Sequence, residues 1–484
     1  MAAESEKYDL TPLFYPKSMV VVGLSRRDYT HPGNTTFSKN YLEMKVKTYG
    51  ISPTMTDVDG YKTHTAINKL PEVPDLAVFC ISAKNVYDSV KEAAEFGIKG
   101  GIIIGGGFAE TGKEGKALQD RLVQLCVDKK FPIIGPNCVG VYSPPIVDTI
   151  FLPTERIVKP KEGNVGFISQ SGGVLLDQFF LSCYERDIGV SSAISIGNKA
   201  MIKETHIMEF FEKDPKTNVI ALYIEGFEPN EGREFVQIAK KSKKDIVVYM
   251  GGRSLSGKVA AHSHTGSLAG NMEIMTGAFK QHSIIVPQTE LEVKNFLKVY
   301  SVLSNPFRKF TTMGVQSDKI AIITVSGGHG VMAADILEKY NLGLSEFTQE
   351  QKQQMEFLLN PTAARIAGLN NPIDLTGASE EEDLVKILDY LLQQLNVSLI
   401  ILLLLPYPPQ FSMHIGRKIT QISGKYTKPI VTFLPWTPKY DLLRTSLELN
   451  YIPCAHTVEE AVMMAYAIIE KGKGGIRKKF NWHV

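Results

Sequence analysis

The apolar residues of the chain gather into short solid runs, and between the runs they recur at helical spacing. The first series of runs is Ser18–Gly23, Leu76–Ile81, Gly101–Ile104 and Pro132–Ile134. A second series is Asn164–Ile168, Ser192–Ile196, Val219–Ile224 and Asp245–Met250, and a third is Lys319–Val325, Leu399–Leu405 and Pro429–Phe433. Runs this short, predominantly apolar without alternation and closed by Gly, Pro or polar residues, predict strands buried on both faces. Val86–Phe96, Gly115–Asp128 and Val458–Lys471 carry the helical spacing. Strand alternating with helix predicts an α/β chain of doubly wound parallel sheets. Pro-, Gly- and charge-rich stretches at 152–163 and 305–317 read as linkers. The expected domains are therefore 1–152, 160–305 and 318–475.

Composition narrows the function classes. The 484 residues fit about three domains at roughly 150 residues each. A formal net charge of +2 gives no electrostatic case for nucleic acid or a membrane surface. The most apolar stretch, Val397–Leu405, stops at Pro406 and is about half of what a spanning helix needs. The N-terminus is polar and acidic, without the apolar core of a secretory signal. Five cysteines (Cys80, Cys126, Cys138, Cys183, Cys454) show no metal-ligand or disulfide spacing. A reducing cytoplasm is the expected compartment. Without a secretory signal, the glycosylation-like triplet Asn34–Thr36 reads as chance.

Candidate chemistry sits in the loops after the strands, where open α/β sheets bind ligands. Gly23 is followed by Ser25, Arg26 and Arg27, which suit phosphates and lack the remaining glycines of a dinucleotide fingerprint. The next strand ends carry Ser82-Ala83-Lys84, Gly105–Glu110 and Gly135-Pro136-Asn137-Cys138. Ser169-Gln170-Ser171-Gly172-Gly173 leads from a strand into an apolar helix, a turn that aims free N–H groups at an anion. Ser326-Gly327-Gly328-His329 repeats that layout. Gly252–Val259 nearly spells a P-loop, but Val259 lacks the hydroxyl that would hold Mg²⁺. Ala260–Gly270 then sets His262 and His264 among small residues, an accessible place for a nucleophilic imidazole or for two merely exposed histidines. Glu225 is a carboxylate at a strand's carboxyl end.

The segments Ser263–Gly270 and Gly135–Cys138, supported by Gly107–Glu110, Phe211–Thr217 and Asn371–Thr376, resemble the ADP-forming acyl-CoA synthetases. The likeness is strongest to the alpha subunits of ADP-forming acetyl-CoA synthetases, and the middle portions are also similar to succinyl-CoA synthetase alpha subunits. The resemblance implies a Rossmann-like CoA-binding domain followed by two flavodoxin-like domains. It also implies that His264, not His262, is phosphorylated, with Glu225 as its orienting carboxylate. Ser169, Ser171, Gly172 and Gly173, and Ser326, Gly327 and Gly328, would cradle phosphate. Gly23, Ser25, Arg26, Ser82, Lys84, Asn137 and Cys138 would contact CoA. No metal site is implied on this chain, because ADP/ATP and Mg²⁺ belong to an ATP-grasp beta subunit, expected in a two-alpha, two-beta assembly.

The pattern departs from the family in the longer loop Gly23–Gly33, at Ser52-Pro53, at Gly105-Gly106 and at His329. The expected reaction is the reversible conversion of acyl-CoA, ADP and phosphate to carboxylic acid, ATP and CoA. Acetate is the expected acid, with succinate, branched, aryl or hydroxy acids as alternatives. A rival of another class is a non-catalytic CoA-sensing module, which would not need His264, Glu225 and both glycine turns together.

Overall fold

The computed structural model describes residues 8–54, 56–58, 60–254, 256–257, 272–304 and 319–479, with backbone alone at 272, 273 and 473–479. The chain divides into two compact units, Met1–Phe279 and Lys280–Val484. Among the described residues no helix is long and apolar enough to cross a membrane.

The first unit holds two large sheets. In the first, β1 (Ser18–Val22), β2 (Lys47–Ile51), β5 (Leu76–Phe79), β6 (Gly100–Ile103) and β7 (Ile133–Ile134) run parallel in the order β2-β1-β5-β6-β7. Val20, Val21, Val78, Ile102 and Ile103 are wholly buried, as solid apolar runs require when helices cover both faces. Lys47-Thr-Tyr-Gly-Ile51 was not among the expected strands, because its polar residues hide the pattern. A small hairpin, β3 (Asp57–Val58) with β4 (Tyr61–Lys62), follows it. The flanking helices are Pro32–Glu43, Ala83–Phe96 and Lys113–Asp128. The second of these ends at Gly97, whose φ of +100° only glycine adopts readily.

The second sheet has the order β13-β12-β10-β11-β8-β9. Its parallel part is β10 (Glu162–Ser169), β11 (Val190–Ser195), β12 (Val219–Ile224) and β13 (Asp245–Met250). Its edge is antiparallel and comes from earlier in the chain: β8 (Gly140–Ser143) pairs with β11, and β9 (Val147–Asp148) pairs with β8. Sheet membership therefore changes between Ile134 and Gly140, ahead of the linker expected at 152–163. Two short strands of four and two residues carry too little pattern to announce this. The buried Lys39–Asp148 ion pair at 3.0 Å and Lys159–Asp148 at 2.7 Å lock this edge to helix Pro32–Glu43.

The second unit is a single parallel sheet in the order β15-β14-β17-β18-β19, with β16 also on β14. Its strands are β14 (Lys319–Thr324), β15 (Gly343–Leu344), β16 (Ile373–Asp374), β17 (Leu399–Leu403), β18 (Ile430–Phe433) and β19 (Cys454–Ala455). Helix Glu290–Leu303, expected to close the preceding domain, instead packs on helix Val458–Lys479 of this unit. Tyr300 there donates to the Ala467 carbonyl at 2.7 Å. The doubly wound α/β class expected from the alternation is present in all three sheets.

Candidate active site

The carboxyl ends of the first sheet form a groove. Gly23 has φ +104°, and a Cβ there would lie 2.5 Å from the Cys80 carbonyl oxygen, so only glycine lets the loop turn across the next strand end. Asn34 then pins that loop in both directions. Ser25 N–H donates to Asn34 Oδ1 at 2.9 Å, and Asn34 Nδ2 donates to the Ser25 carbonyl at 2.7 Å. The triplet dismissed as a chance glycosylation pattern thus holds the site loop, a role no sequence pattern announced.

A cavity of about 600 Å³ opens there beside Gly23, Ser25, Arg26 and Ser82. A second, of about 910 Å³, shares Ser25, Arg26 and Thr54 and extends to Phe151–Arg156. Arg26 is exposed and lines both cavities. Lys84 is exposed on the first turn of its helix and lines neither cavity.

Gly135–Cys138 lies where the chain passes between the two sheets. Asn137, at φ +58°, keeps its side chain exposed, with Nδ2 3.3 Å from Asn198 Oδ1. Asn198 also donates to Gln119 Oε1 at 3.1 Å and to the Glu110 carboxylate. Glu110 accepts the N–H groups of Gly107 at 2.5 Å and Phe108 at 3.1 Å. Burial would raise the Glu110 carboxyl, but the bonds from Asn198 and those N–H groups hold it below its usual range. Cys138 departs from its expected place on the ligand side. Its thiol is buried, donates to the Ile103 carbonyl at 3.3 Å, and is pushed up to about 12 by burial. An uncharged, inward-facing thiol offers nothing to a ligand in the groove.

The second sheet gathers the Ser169–Gly173 turn and Glu225. Ser169 is fully buried and its hydroxyl donates to the Ser171 carbonyl at 2.6 Å, which bends the chain into the helix beginning at Gly172. A wider π-type winding runs over Val174–Phe180 and continues as α-helix over Leu181–Glu185. A Cβ at Gly172 would lie 2.4 Å from Val139 Cγ1, whereas one at Gly173 would meet nothing nearer than Ser171 Oγ at 4.0 Å. Gly172 is there for packing, and Gly173 leaves open space over N–H groups that have no partner within the helix. An anion fits that space.

Glu225 follows β12 directly and is 8% exposed. The Tyr223 hydroxyl is hydrogen-bonded to it, and burial, reinforced by the Glu225 charge, pushes that phenol above its usual range. Gly251 gives the pair room, since a Cβ there would lie 2.6 Å from Tyr223 Oη. Gln170 closes the arrangement: Oε1 accepts Glu225 N–H at 2.6 Å, and Nε2 donates to the Gly226 carbonyl at 2.8 Å. Neither Tyr223 nor Gln170 was singled out from sequence, because a tyrosine in an apolar run and a glutamine in a glycine turn carry no distinctive signal. β13 lies beside β12, with Tyr223 opposite Tyr249 and Ile224 opposite Met250. The chain therefore leaves β13 next to Glu225 on its way to His262 and His264, which lie outside the described residues.

The second unit carries the other turn. Thr324 Oγ1 donates to the Ser326 carbonyl at 3.0 Å, the same side-chain bridge that Ser169 makes. Helix Gly327–Lys339 begins there. A Cβ at Gly327 would lie 2.7 Å from Asp374 Oδ2, and Gly328 is open on every side. His329 turns back onto the turn, with Nδ1 2.9 Å from Ser326 Oγ and its ring stacked on Phe433 at 5.9 Å.

Two family models match the chain: a CoA binding domain over residues 17–144 and a succinyl-CoA ligase like flavodoxin domain over residues 162–300. The chain is 33% identical over 475 residues to the alpha subunit of acetate–CoA ligase [ADP-forming] II of Pyrococcus furiosus, covering 96% of this chain and 98% of that one. It is 34% identical over 396 residues to acetate–CoA ligase [ADP-forming] I of Archaeoglobus fulgidus, covering 81% of this chain but 54% of that one. Its fold matches the solved acetyl-coenzyme A synthetase 1 of Ca. Korarchaeum cryptofilum, in complex with phosphate and ADP. There the TM-score is 0.83 at 27% identity, with 98% of this chain and 99% of that chain covered.

Proposed function

The chain belongs to the family of ADP-forming acetate–CoA ligase alpha subunits, and on that premise we propose that His264 carries the phosphoryl group and Glu225 orients it. The family's reaction interconverts acyl-CoA, ADP and phosphate with carboxylic acid, ATP and CoA. The observation that carries the reading is the pair of buried Glu225 and half-buried Tyr223, set beside the strand from which the histidine segment departs.

Phosphate attacks the acyl-CoA carbonyl, the C–S bond breaks, CoA thiolate leaves, and an acyl phosphate forms. A neutral imidazole nitrogen of His264 then attacks phosphorus and the carboxylate departs. Glu225 accepts the N–H of the other ring nitrogen, which fixes the tautomer and stabilises the cationic phosphohistidine. Tyr223 donates to Glu225 and keeps that carboxylate in place. The N–H groups at Gly172-Gly173 meet the charge that develops on the transferring phosphoryl, worth a few kcal/mol per donor. The Ser326-Gly327-Gly328 turn offers a second site of the same kind. Transfer to ADP completes the cycle.

CoA occupies the groove around Arg26, lined by Gly23, Ser25 and Ser82, with Asn137 of the Gly135–Cys138 turn as a further contact. ADP/ATP and Mg²⁺ bind an ATP-grasp beta partner, in an assembly of two alpha and two beta chains. That the Archaeoglobus relative is about twice the matched length supports a second module working with this chain. Acetate is the acid, and the cytoplasm, where CoA and ATP are available, is the compartment.

The test is incubation of the chain and its partner with γ-labelled ATP. An acid-labile, alkali-stable label that persists in His262→Asn and disappears in His264→Asn is expected. A wild-type complex that takes no label, or a label that survives His264→Asn, would overturn the reading.

A further inference from the structure

The Gln170 side chain makes four hydrogen bonds, and each fixes its orientation. Oε1 accepts Glu225 N–H at 2.6 Å and Gly226 N–H at 3.2 Å, while Nε2 donates to the Gly226 carbonyl at 2.8 Å and to Glu204 Oε1. Rotating the amide by half a turn would face its NH₂ with two donors and its oxygen with a carbonyl and a carboxylate. Its own backbone N–H donates to the Tyr223 carbonyl at 3.2 Å, so one residue grips both sides of the Glu225 strand end.

Behind Gln170 lies a buried ionic cluster that the mechanism above does not use. Glu204 is fully buried, takes Lys199 at 3.3 Å on the same oxygen that meets Gln170, and its Oε2 has no hydrogen-bond partner among the described residues. Lys199 also pairs with Glu231 at 2.8 Å, and Glu231 Oε2 accepts Glu228 N–H at 2.7 Å. Charges buried in this way add little stability against apolar residues of the same volume, but they fix geometry.

We propose that Gln170 is a positioning residue for phosphoryl transfer, whose amide, anchored by Glu204 and Lys199, presents the Glu225 carboxylate to the phosphorylated imidazole. The inference rests on the phosphohistidine reading. A displacement of about 1 Å at a reacting group can cost roughly a hundredfold in rate. The amide is well placed to prevent such a displacement without touching substrate.

The experiment measures the rate of His264 labelling by γ-labelled ATP in the complex with its partner, from pH 5 to 8, for wild type, Gln170→Glu and Gln170→Met. Gln170→Glu keeps shape and the accepting oxygen but sets a second carboxylate against Glu204, with Lys199, Glu231, Lys203, Glu228, Tyr223 and Glu225 as the other charged or titratable groups nearby. Near neutral pH both variants should label about tenfold to a hundredfold more slowly, with KM for CoA unchanged. Gln170→Glu alone should recover as pH falls and its side chain regains a proton to donate. Labelling at the wild-type rate in both variants overturns the proposal. So does a rate loss that follows the unfolding midpoint, or one without recovery at low pH, because either assigns Gln170 to folding alone. A wild-type complex that takes no label fails the phosphohistidine reading itself, which separates the two outcomes.

Discussion

The backbone N–H of Asn198 donates to the Pro136 carbonyl at 2.9 Å, tying the loop after β11 to the turn where the chain leaves the first sheet. Gly197 lets the two backbones meet: it has φ +56°, and a Cβ there would lie 2.3 Å from the Pro136 oxygen. The Asn198 side chain extends the tie to Asn137, Gln119 and Glu110. The loops after β6 and β7 are thereby held by the sheet that carries Glu225.

Asn198→Ala should therefore weaken two properties together. It removes the bonds from Asn198 to the Glu110 carboxylate and Gln119, a loss of about 0.5–1.5 kcal/mol, read as a lower thermal midpoint. It should also raise KM for CoA. An unchanged KM beside a lowered midpoint would show that the tie serves folding only.

The two glycines of the first turn should separate stability from phosphate binding. Gly172→Ala drives a methyl into Val139 and should cost about 1–3 kcal/mol. Gly173 has helical angles, φ −60° and ψ −49°, and open space around it. Gly173→Ala should therefore stabilise by about 0.4–1 kcal/mol while raising the KM for phosphate. Denaturant titration and steady-state kinetics on the two variants distinguish the effects.

On the CoA side, Arg26→Ala should raise KM for CoA by about one to two orders of magnitude, the usual size of a lost charged hydrogen bond. Cys138→Ser should leave it unchanged, since the thiol faces the Ile103 carbonyl and not the groove. Folded protein should also resist thiol alkylation at pH 8, with Cys80, Cys126 and Cys138 all pushed up to about 12 by burial. Rapid native-state labelling of these thiols would contradict their placement.

Glu204 should leave its mark on stability against pH. Burial, opposed by Lys199, raises its carboxyl above the ordinary 4.5. Between 4.5 and the higher folded value the native state binds more protons than the unfolded state, so this group's contribution falls as pH rises across that window. Glu204→Gln removes that slope. The stability difference, wild type minus variant, should become less favourable to wild type as pH rises from 4.5 and then level off. Denaturant unfolding at a series of pH values measures it, and a flat difference would refute the assignment.

What could be read in the sequence followed from how many residues each feature spans. Apolar runs such as Val219–Ile224 and Asp245–Met250 reappear with the same limits, because burial on both faces makes nearly every position apolar. The glycine turns were legible from their Ser-Gly-Gly spelling, which has few uses apart from a close backbone approach. Lys47–Ile51, β8 and β9 were not, since polar or two-residue strands owe their existence to neighbours far along the chain. Asn34, Gln170 and Asn198 escaped for a related reason. Each is one amide bonding backbone or side chains distant in sequence, and no local spacing encodes such a bond. The inward turn of Cys138 was hidden likewise, because the Ile103 carbonyl it meets is visible only after folding.

The β8–β9 hairpin has a consequence for how the protein could be divided. A fragment opened at the linker near residue 152 would carry those strands away with the first sheet and leave β11 with a bare edge. Unpaired strand edges invite other chains to pair with them. Such a fragment should associate into aggregates, whereas one cut ahead of Gly140 would keep its edge covered. A division that keeps both sheets whole therefore falls between Ile134 and Gly140, not at the linker.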